Sequence, residues 1–228
     1  MAAPRQTLLG LRTAEDLART ATQAGVPLAG DAADRLVAFA ELLQRWTRSI
    51  NLTASETLEE ILERQVLDCL MADRLPWQGE SLAAADIGSG AGLPGLVLAI
   101  KHPRWAMTTL ERVAKKVTFQ QEAVRILGLT NVTVRREDAA HYAAGEGCGR
   151  YDVALARAYA DLARTLPVAA GLLRPGGVLR TYKGRKLAQE RAAIPKEIRA
   201  RFAPELREAG YGIPHSEVAG ILVEFRRI

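Results

Sequence analysis

Two hydrophobic rhythms divide the chain. Up to about residue 80 the apolar positions recur at helical spacing: Leu36, Phe39, Leu43, Trp46 and Ile50 follow Asp31, a residue suited to an N-cap, and describe one amphipathic helix. Thr57 and Glu60 then have the spacing of a capping box ahead of Ile61, Leu62, Val66, Leu67 and Leu70, so a second helix is predicted from Thr57 to the break at Pro76. The polar stretch SINLTASE (49–56) connects them. From residue 83 short apolar strands alternate with helices. LAAADIG (82–88), WAMTTLE (105–111), NVTVRREDA (131–139), YDVALARA (151–158) and GGVLRTYKG (176–184) read as strands, the last after the turn Pro175-Gly176-Gly177. GLVLAIKH (95–102), AKKVTFQQEAVRILG (114–128, with Gly128 as C-cap) and YADLARTLPVAAGLL (159–173) read as helices. HSEVAGILVEFRRI (215–228) fits a hairpin strand at a sheet edge.

Strands that are mostly apolar, rather than strictly alternating, belong in a parallel sheet covered on both faces. The pattern therefore predicts an α/β fold with a doubly wound, mostly parallel, Rossmann-like sheet over residues 81–228. Residues 1–80 form a helical N-terminal extension packed on it.

Composition narrows the class. At 228 residues and 48 % hydrophobic the chain can bury one good core. Cys69 and Cys148 are far apart and the three histidines are scattered, which gives no metal-ligand spacing and no disulfide framework. Charges interrupt the first twenty residues and no apolar run reaches membrane-spanning length. The expectation is a reduced, cytoplasmic protein with no metal and no membrane partner. The oligomeric state is left open, with a monomer as the starting point.

In doubly wound sheets ligands bind beyond the carboxyl ends of the strands, so the first strand-to-helix loop is the expected site. Here it reads DIGSGAGLPG (86–95), and two registers compete. Gly90, Gly92 and Gly95 have the G-x-G-x-x-G spacing of dinucleotide sites; Asp86, Gly88, Gly90 and Gly92 have the D-x-G-x-G-x-G spacing of S-adenosylmethionine sites. Pro94 marks the first helical turn, so the strand ends near Asp86 to Gly88 and its carboxylate is predicted at the loop mouth. An acceptor there suits the aminoacyl ammonium of S-adenosylmethionine and would repel the pyrophosphate of NAD. Glu111 ends the second strand 25 residues later, placed for the ribose hydroxyls, and Asp138 ends the third, placed for the adenine amino group. Gly90 would let backbone amides approach the ligand.

NLTA (51–54), RQVLDCL (64–70), the glycine loop, ERVAKKVTF (111–119), REDA (136–139), ARA (156–158) and LLRPGG with YKG (172–184) together resemble the RsmG/GidB family of bacterial small-subunit rRNA guanine-N7 methyltransferases. The resemblance runs from about Phe39 to Phe225. It implies the class I S-adenosylmethionine-dependent fold and methyl transfer to one guanine in the decoding-region loop of 16S rRNA, free or in a ribosomal particle. It also implies that Gly88, Leu93, Arg136, Glu137 and Arg157 line the cofactor. Two departures stand out: Gln65 and Cys69 replace the family's usual His and Ser, and the basic C-terminal arm is missing.

Guanine N7 has an exposed lone pair and loses no proton on methylation, so no general base is assigned; catalysis rests on alignment. Arg157 is expected against the cofactor carboxylate or an RNA phosphate, since a fork onto O6 and N7 would cover the reacting lone pair. A strand-end pairing with Asp152 or Asp161 is the structural alternative. Lys183 is a candidate for phosphate or O6, or a solvated loop lysine. Arg64 is an RNA candidate that could equally pair with Asp68 one helical turn on, and Asn51 a candidate that could only order its turn. Residues 174–207 hold ten Lys/Arg against three Asp/Glu, whereas the whole chain is +5, so this segment carries the entire basic excess. Arg185, Lys186 and Arg191 are its candidates for phosphate contacts, the plain alternative being a solvated face. A dinucleotide-dependent oxidoreductase and a non-catalytic RNA-binding or ribosome-assembly protein are the competing readings.

Overall fold

A computed structural model describes residues 9–204 and 206–228; the first eight residues of the charged N-terminal stretch considered above lie outside the described range. Seven strands form one sheet in the order β3-β2-β1-β4-β5-β7-β6. Strands β1 (Ala83–Ile87), β2 (Ala106–Glu111), β3 (Val132–Arg136), β4 (Tyr151–Ala156) and β5 (Leu173–Lys183) run parallel, each paired in register with its neighbours. Between them lie α5 (Gly95–Lys101), α6 (Ala114–Ile126), α7 (Ala139–Ala144) and α8 (Leu162–Leu172). The chain order reverses between β1 and β4, and the site is built there.

The C-terminal strand corrects the sequence reading. β7 (Ala219–Arg226) pairs antiparallel with β5, but it is not the edge, because β6 (Arg207–Gly212) pairs outside it. β7 buries Leu222, Val223, Glu224 and Phe225 in succession, as an interior strand does. The edge strand REAGYG has two glycines and a charged start, so it carries almost no hydrophobic signal. β5 also begins earlier than expected, at Leu173, with the Pro-Gly-Gly turn absorbed as an irregularity in its pairing with β4.

The N-terminal helices are α1 (Ala14–Gln23), α2 (Ala32–Ile50), α3 (Leu58–Ile61) and α4 (Asp68–Leu70). α1 escaped the periodicity because its buried stripe is Leu17, Thr20 and Ala21; a Thr13–Asp16 capping box starts it. Thr57 and Glu60 form the expected capping box of α3, whereas the Asp31 side chain makes no cap bond to α2. A π-helical stretch, Leu62–Leu67, joins α3 to α4 and a 3-10 turn, Met71–Arg74, follows. Extension and sheet share one core: Phe119 of α6 meets Phe39 and Trp46 of α2 at ring distances of 6.2 and 5.7 Å. Arg180 of β5 is fully buried, donates to the carbonyls of Ala72 and Leu75 (2.7 Å each), pairs with Glu224 and lies 3.4 Å from the Trp77 ring centroid. These partners compensate Nη1 and Nη2 of the buried guanidinium, while its Nε has none. Among the described residues no helix is long and apolar enough to cross a membrane, and no group of three or more His, Cys, Asp or Glu is placed to hold a metal ion.

Candidate active site

The glycine loop between β1 and α5 turns on Gly88, whose φ of 66° is a left-handed conformation. Gly92 and Leu93 donate to the Ser89 carbonyl at 2.8 Å, and Ser89 donates to the Leu110 carbonyl at 3.0 Å, which fastens the loop to β2. Asp86 does not stand at the loop mouth. It is fully buried beneath the loop, where its Oδ2 accepts the Gly95 N–H at 2.8 Å and its Oδ1 has no partner. Burial pushes its carboxyl up to about 7, against the opposing pull of the Gly95 bond and of Arg157. Gly95 permits this arrangement, since a Cβ there would lie 2.7 Å from Asp86 Oδ2. The two glycine registers therefore serve different ends: Gly88 shapes the loop, and Gly95 lets the helix start sit on a buried carboxylate.

Glu111, at the end of β2, is buried and holds the loop. Gly90 N–H donates to its Oε2 at 3.0 Å and Val113 N–H to its Oε1 at 2.8 Å. Gln120 of α6, which the sequence reading missed, donates to Ser89 Oγ (2.8 Å) and to the Gly90 carbonyl (2.7 Å) from full burial. Its only sequence signal was a polar residue on the buried stripe of Val117 and Ala123.

A pocket of about 430 Å³ opens over this frame, and Gly88, Glu111, Glu137 and Asp138 line it, as do Arg112, Lys116, Tyr159 and Arg164. Tyr159 crowds Gly88, with Cδ2 2.4 Å from where a Cβ would stand. Asp138 caps α7 through Oδ1, accepting from Ala140 N–H (2.9 Å) and His141 N–H (3.2 Å), and Glu137 bonds His141 Nδ1 at 2.8 Å. Three residues implied by the resemblance lie off this lining: Leu93 is buried in the larger core, Arg136 is exposed at the end of β3, and Arg157 is bound to the N-terminal extension.

Arg157 corrects both of its expectations. Its Nε donates to Asp68 at 2.7 Å, Nη1 to Gln65 at 2.9 Å and Nη2 to the Arg64 carbonyl at 3.0 Å, so its whole fork is bound to the N-terminal extension. Neither Asp152 nor Asp161 is its partner: Asp152 pairs with Arg174, and Asp161 caps α8. Asp68 also accepts from Tyr211 Oη (2.6 Å), so it does not need the Arg64 side chain, whose charge acts on Glu60. Lys183 is not a solvated loop lysine; its ammonium donates to Glu190 (2.8 Å) and to the Ala160 carbonyl (3.0 Å). Arg191 pairs with Glu208, whereas Arg185 and Lys186 are exposed ahead of α9 (Leu187–Ala192). Asn51 closes α2 in a left-handed conformation (φ 48°) and lines, with Arg48, a separate surface groove.

Residues 32–207 match the family described as rRNA small subunit methyltransferase G, GidB. The chain belongs to this family. A relative named ribosomal RNA small subunit methyltransferase G, from Halorhodospira halophila, is 38 % identical over 173 residues, which span 76 % of this chain and 79 % of that protein. Solved structures agree on the fold at low identity. A predicted O-methyltransferase from Agrobacterium tumefaciens superposes with a TM-score of 0.57 at 19 % identity, covering 70 % of this chain and 80 % of that one. TYW2 from M. jannaschii in complex with AdoMet gives 0.50 at 17 %, covering 66 % and 71 %. Family membership makes the chain a methyltransferase of small-subunit rRNA with a Rossmann-like fold, and it removes the oxidoreductase and non-catalytic readings.

Proposed function

We propose that this enzyme transfers the methyl group of S-adenosylmethionine to N7 of a guanine in the decoding-region loop of 16S rRNA, in the cytoplasm, on free RNA or a ribosomal particle. The observation that carries the cofactor is the pocket over the glycine loop, where a positive-φ glycine and carboxylates from the ends of β2 and β3 converge. The residues present fit the group. Glu111 and Asp138 line the pocket and offer acceptors for ribose and adenine donors, and the unpaired Asp86 Oδ1 lies buried beneath the loop. The Leu93 and Arg136 contacts implied by the resemblance are not part of this reading. The bound cofactor supplies a sulfonium-activated methyl group.

The chain's own residues do the rest by positioning. Glu111 and Gln120 fix the loop, and the Arg157 fork fixes the end of β4 against residues 64–68. N7 brings its own lone pair, so no side chain need remove a proton. Residues 81–228 would act as the methyltransferase domain and 1–80 as its packed extension, in a monomer. Exposed Arg185 and Lys186, with Arg112, Lys116 and Arg164 at the pocket rim, suit a phosphate backbone. The test is to incubate the protein with labelled S-adenosylmethionine and small-subunit RNA or particles and to map the product by mass spectrometry. A methyl group at guanine N7 is expected; one on an exocyclic amine or a ribose overturns the reading.

A further inference from the structure

A second pocket, also about 430 Å³, adjoins the first, and Ala158 and Ala160 line both. Its other walls carry Asp68, Arg157, Lys183, Glu190 and Tyr211. Three carboxylates face it, and they are not equivalent. Asp68 has both oxygens engaged, Oδ2 by Arg157 and Oδ1 by Tyr211. Asp161 caps the start of α8 through the Arg164 N–H. Glu190 concentrates its bonds on one atom: Lys183 Nζ (2.8 Å) and Leu162 N–H (3.0 Å) both donate to Oε2. Its other oxygen, Oε1, is left free, beside an ammonium whose side chain is only 8 % exposed.

We propose that the Lys183–Glu190 pair is the guanine-reading element of this enzyme. The inference rests on the methyl-transfer reading above and deepens it. A fixed donor beside a fixed acceptor matches the Watson–Crick edge of guanine: Lys183 Nζ donates to O6, and Glu190 Oε1 accepts the neighbouring N1–H. Adenine reverses both positions, setting its N6 amino group against the ammonium and its bare N1 against the carboxylate. A site whose fixed polar groups match one hydrogen-bond pattern rejects the other, because those groups are then left facing like groups. Holding the base by this edge leaves N7 uncovered. Ala158 and Ala160 line both pockets, so a base held here lies next to the pocket assigned to the methyl donor. Lys183 thus has a role that neither a free phosphate clamp nor a solvated lysine describes.

The test uses the full-length protein and 16S rRNA transcripts carrying guanine, adenine or 1-methylguanine at the position the wild type modifies. Single-turnover methyl transfer is measured with each, and S-adenosylmethionine affinity by calorimetry. Glu190→Gln keeps an oxygen for the Leu162 amide but loses the charge, and Lys183→Met loses the donor. Each is expected to lower kcat/KM on guanine at least tenfold and to narrow the guanine-to-adenine ratio at least tenfold, with cofactor affinity within about twofold of wild type. The wild type is expected to lose at least 100-fold on 1-methylguanine, a readout independent of whether any variant folds. Unchanged base preference in variants that still bind cofactor, or ready methylation of 1-methylguanine by the wild type, overturns the proposal. Absence of transfer to any guanine by the wild type overturns the underlying methyl-transfer reading as well.

Discussion

Arg157 and Asp68 are 89 residues apart in the chain and 2.7 Å apart in space, and their ion pair ties the end of β4 to the N-terminal helices. Both side chains are mostly buried, at 18 % and 13 % exposure. Removing one partner of such a pair leaves the other uncompensated. Arg157→Ala is expected to lower unfolding free energy by about 2–4 kcal/mol in urea titrations. Asp68→Asn should cost about 1–2 kcal/mol, because Gln65 and the Arg64 carbonyl still hold the guanidinium. The double variant should fall close to Arg157→Ala alone; strict additivity would show that the two residues do not couple.

Asp86 makes stability pH-dependent. Its folded-state pKa is raised to about 7 from an ordinary value of 3.8, with burial the main cause. Between these values the folded protein binds a proton that the unfolded chain does not, so acidification across that window favours folding by about 1.4 kcal/mol per pH unit from this group. Ligand-free protein should gain this contribution as pH falls from about 7 toward 4, and show no further effect of this group above 7. Asp86→Asn, which keeps an oxygen for the Gly95 amide, should flatten the profile. A variant whose stability–pH curve parallels the wild type would exclude Asp86 as its source.

Glu111 holds two backbone N–H donors, and glutamine would turn an amino group toward one of them. Glu111→Gln should therefore loosen the glycine loop and weaken S-adenosylmethionine binding by about 1–3 kcal/mol in calorimetry. Gly88→Ala should weaken it as well, because a Cβ there meets the Tyr159 ring at 2.4 Å and φ is 66°. Wild-type affinity in both variants would place the cofactor elsewhere.

Exposed and paired cations of the basic segment should behave differently toward RNA. Arg185 and Lys186 are exposed, whereas Arg191 is committed to Glu208. Arg185→Ala with Lys186→Ala should reduce the magnitude of the logarithmic salt slope of RNA binding by about 1–2, and Arg191→Ala should leave it nearly unchanged. Equal effects from both changes would mean that the Arg191–Glu208 pair opens on RNA.

The five parallel strands, the glycine loop and the capping box at Thr57 were legible in the chain because each is written in neighbouring residues. Apolar runs of strand length, glycines within a few positions of one another, and a threonine three residues before a glutamate are local patterns. β6 left no such trace, since REAGYG gains its place by pairing with β7. The charged residues divided in the same way. Their positions at strand ends were readable, and Glu111 and Asp138 do face the expected pocket. Their partners were not readable: Asp86 met Gly95 beneath the loop, Arg157 met Asp68, Lys183 met Glu190 and Arg191 met Glu208. Burial of apolar surface follows a periodicity that the chain carries along its length, whereas the partner of a buried charge is decided by whichever distant element the fold brings within hydrogen-bond reach.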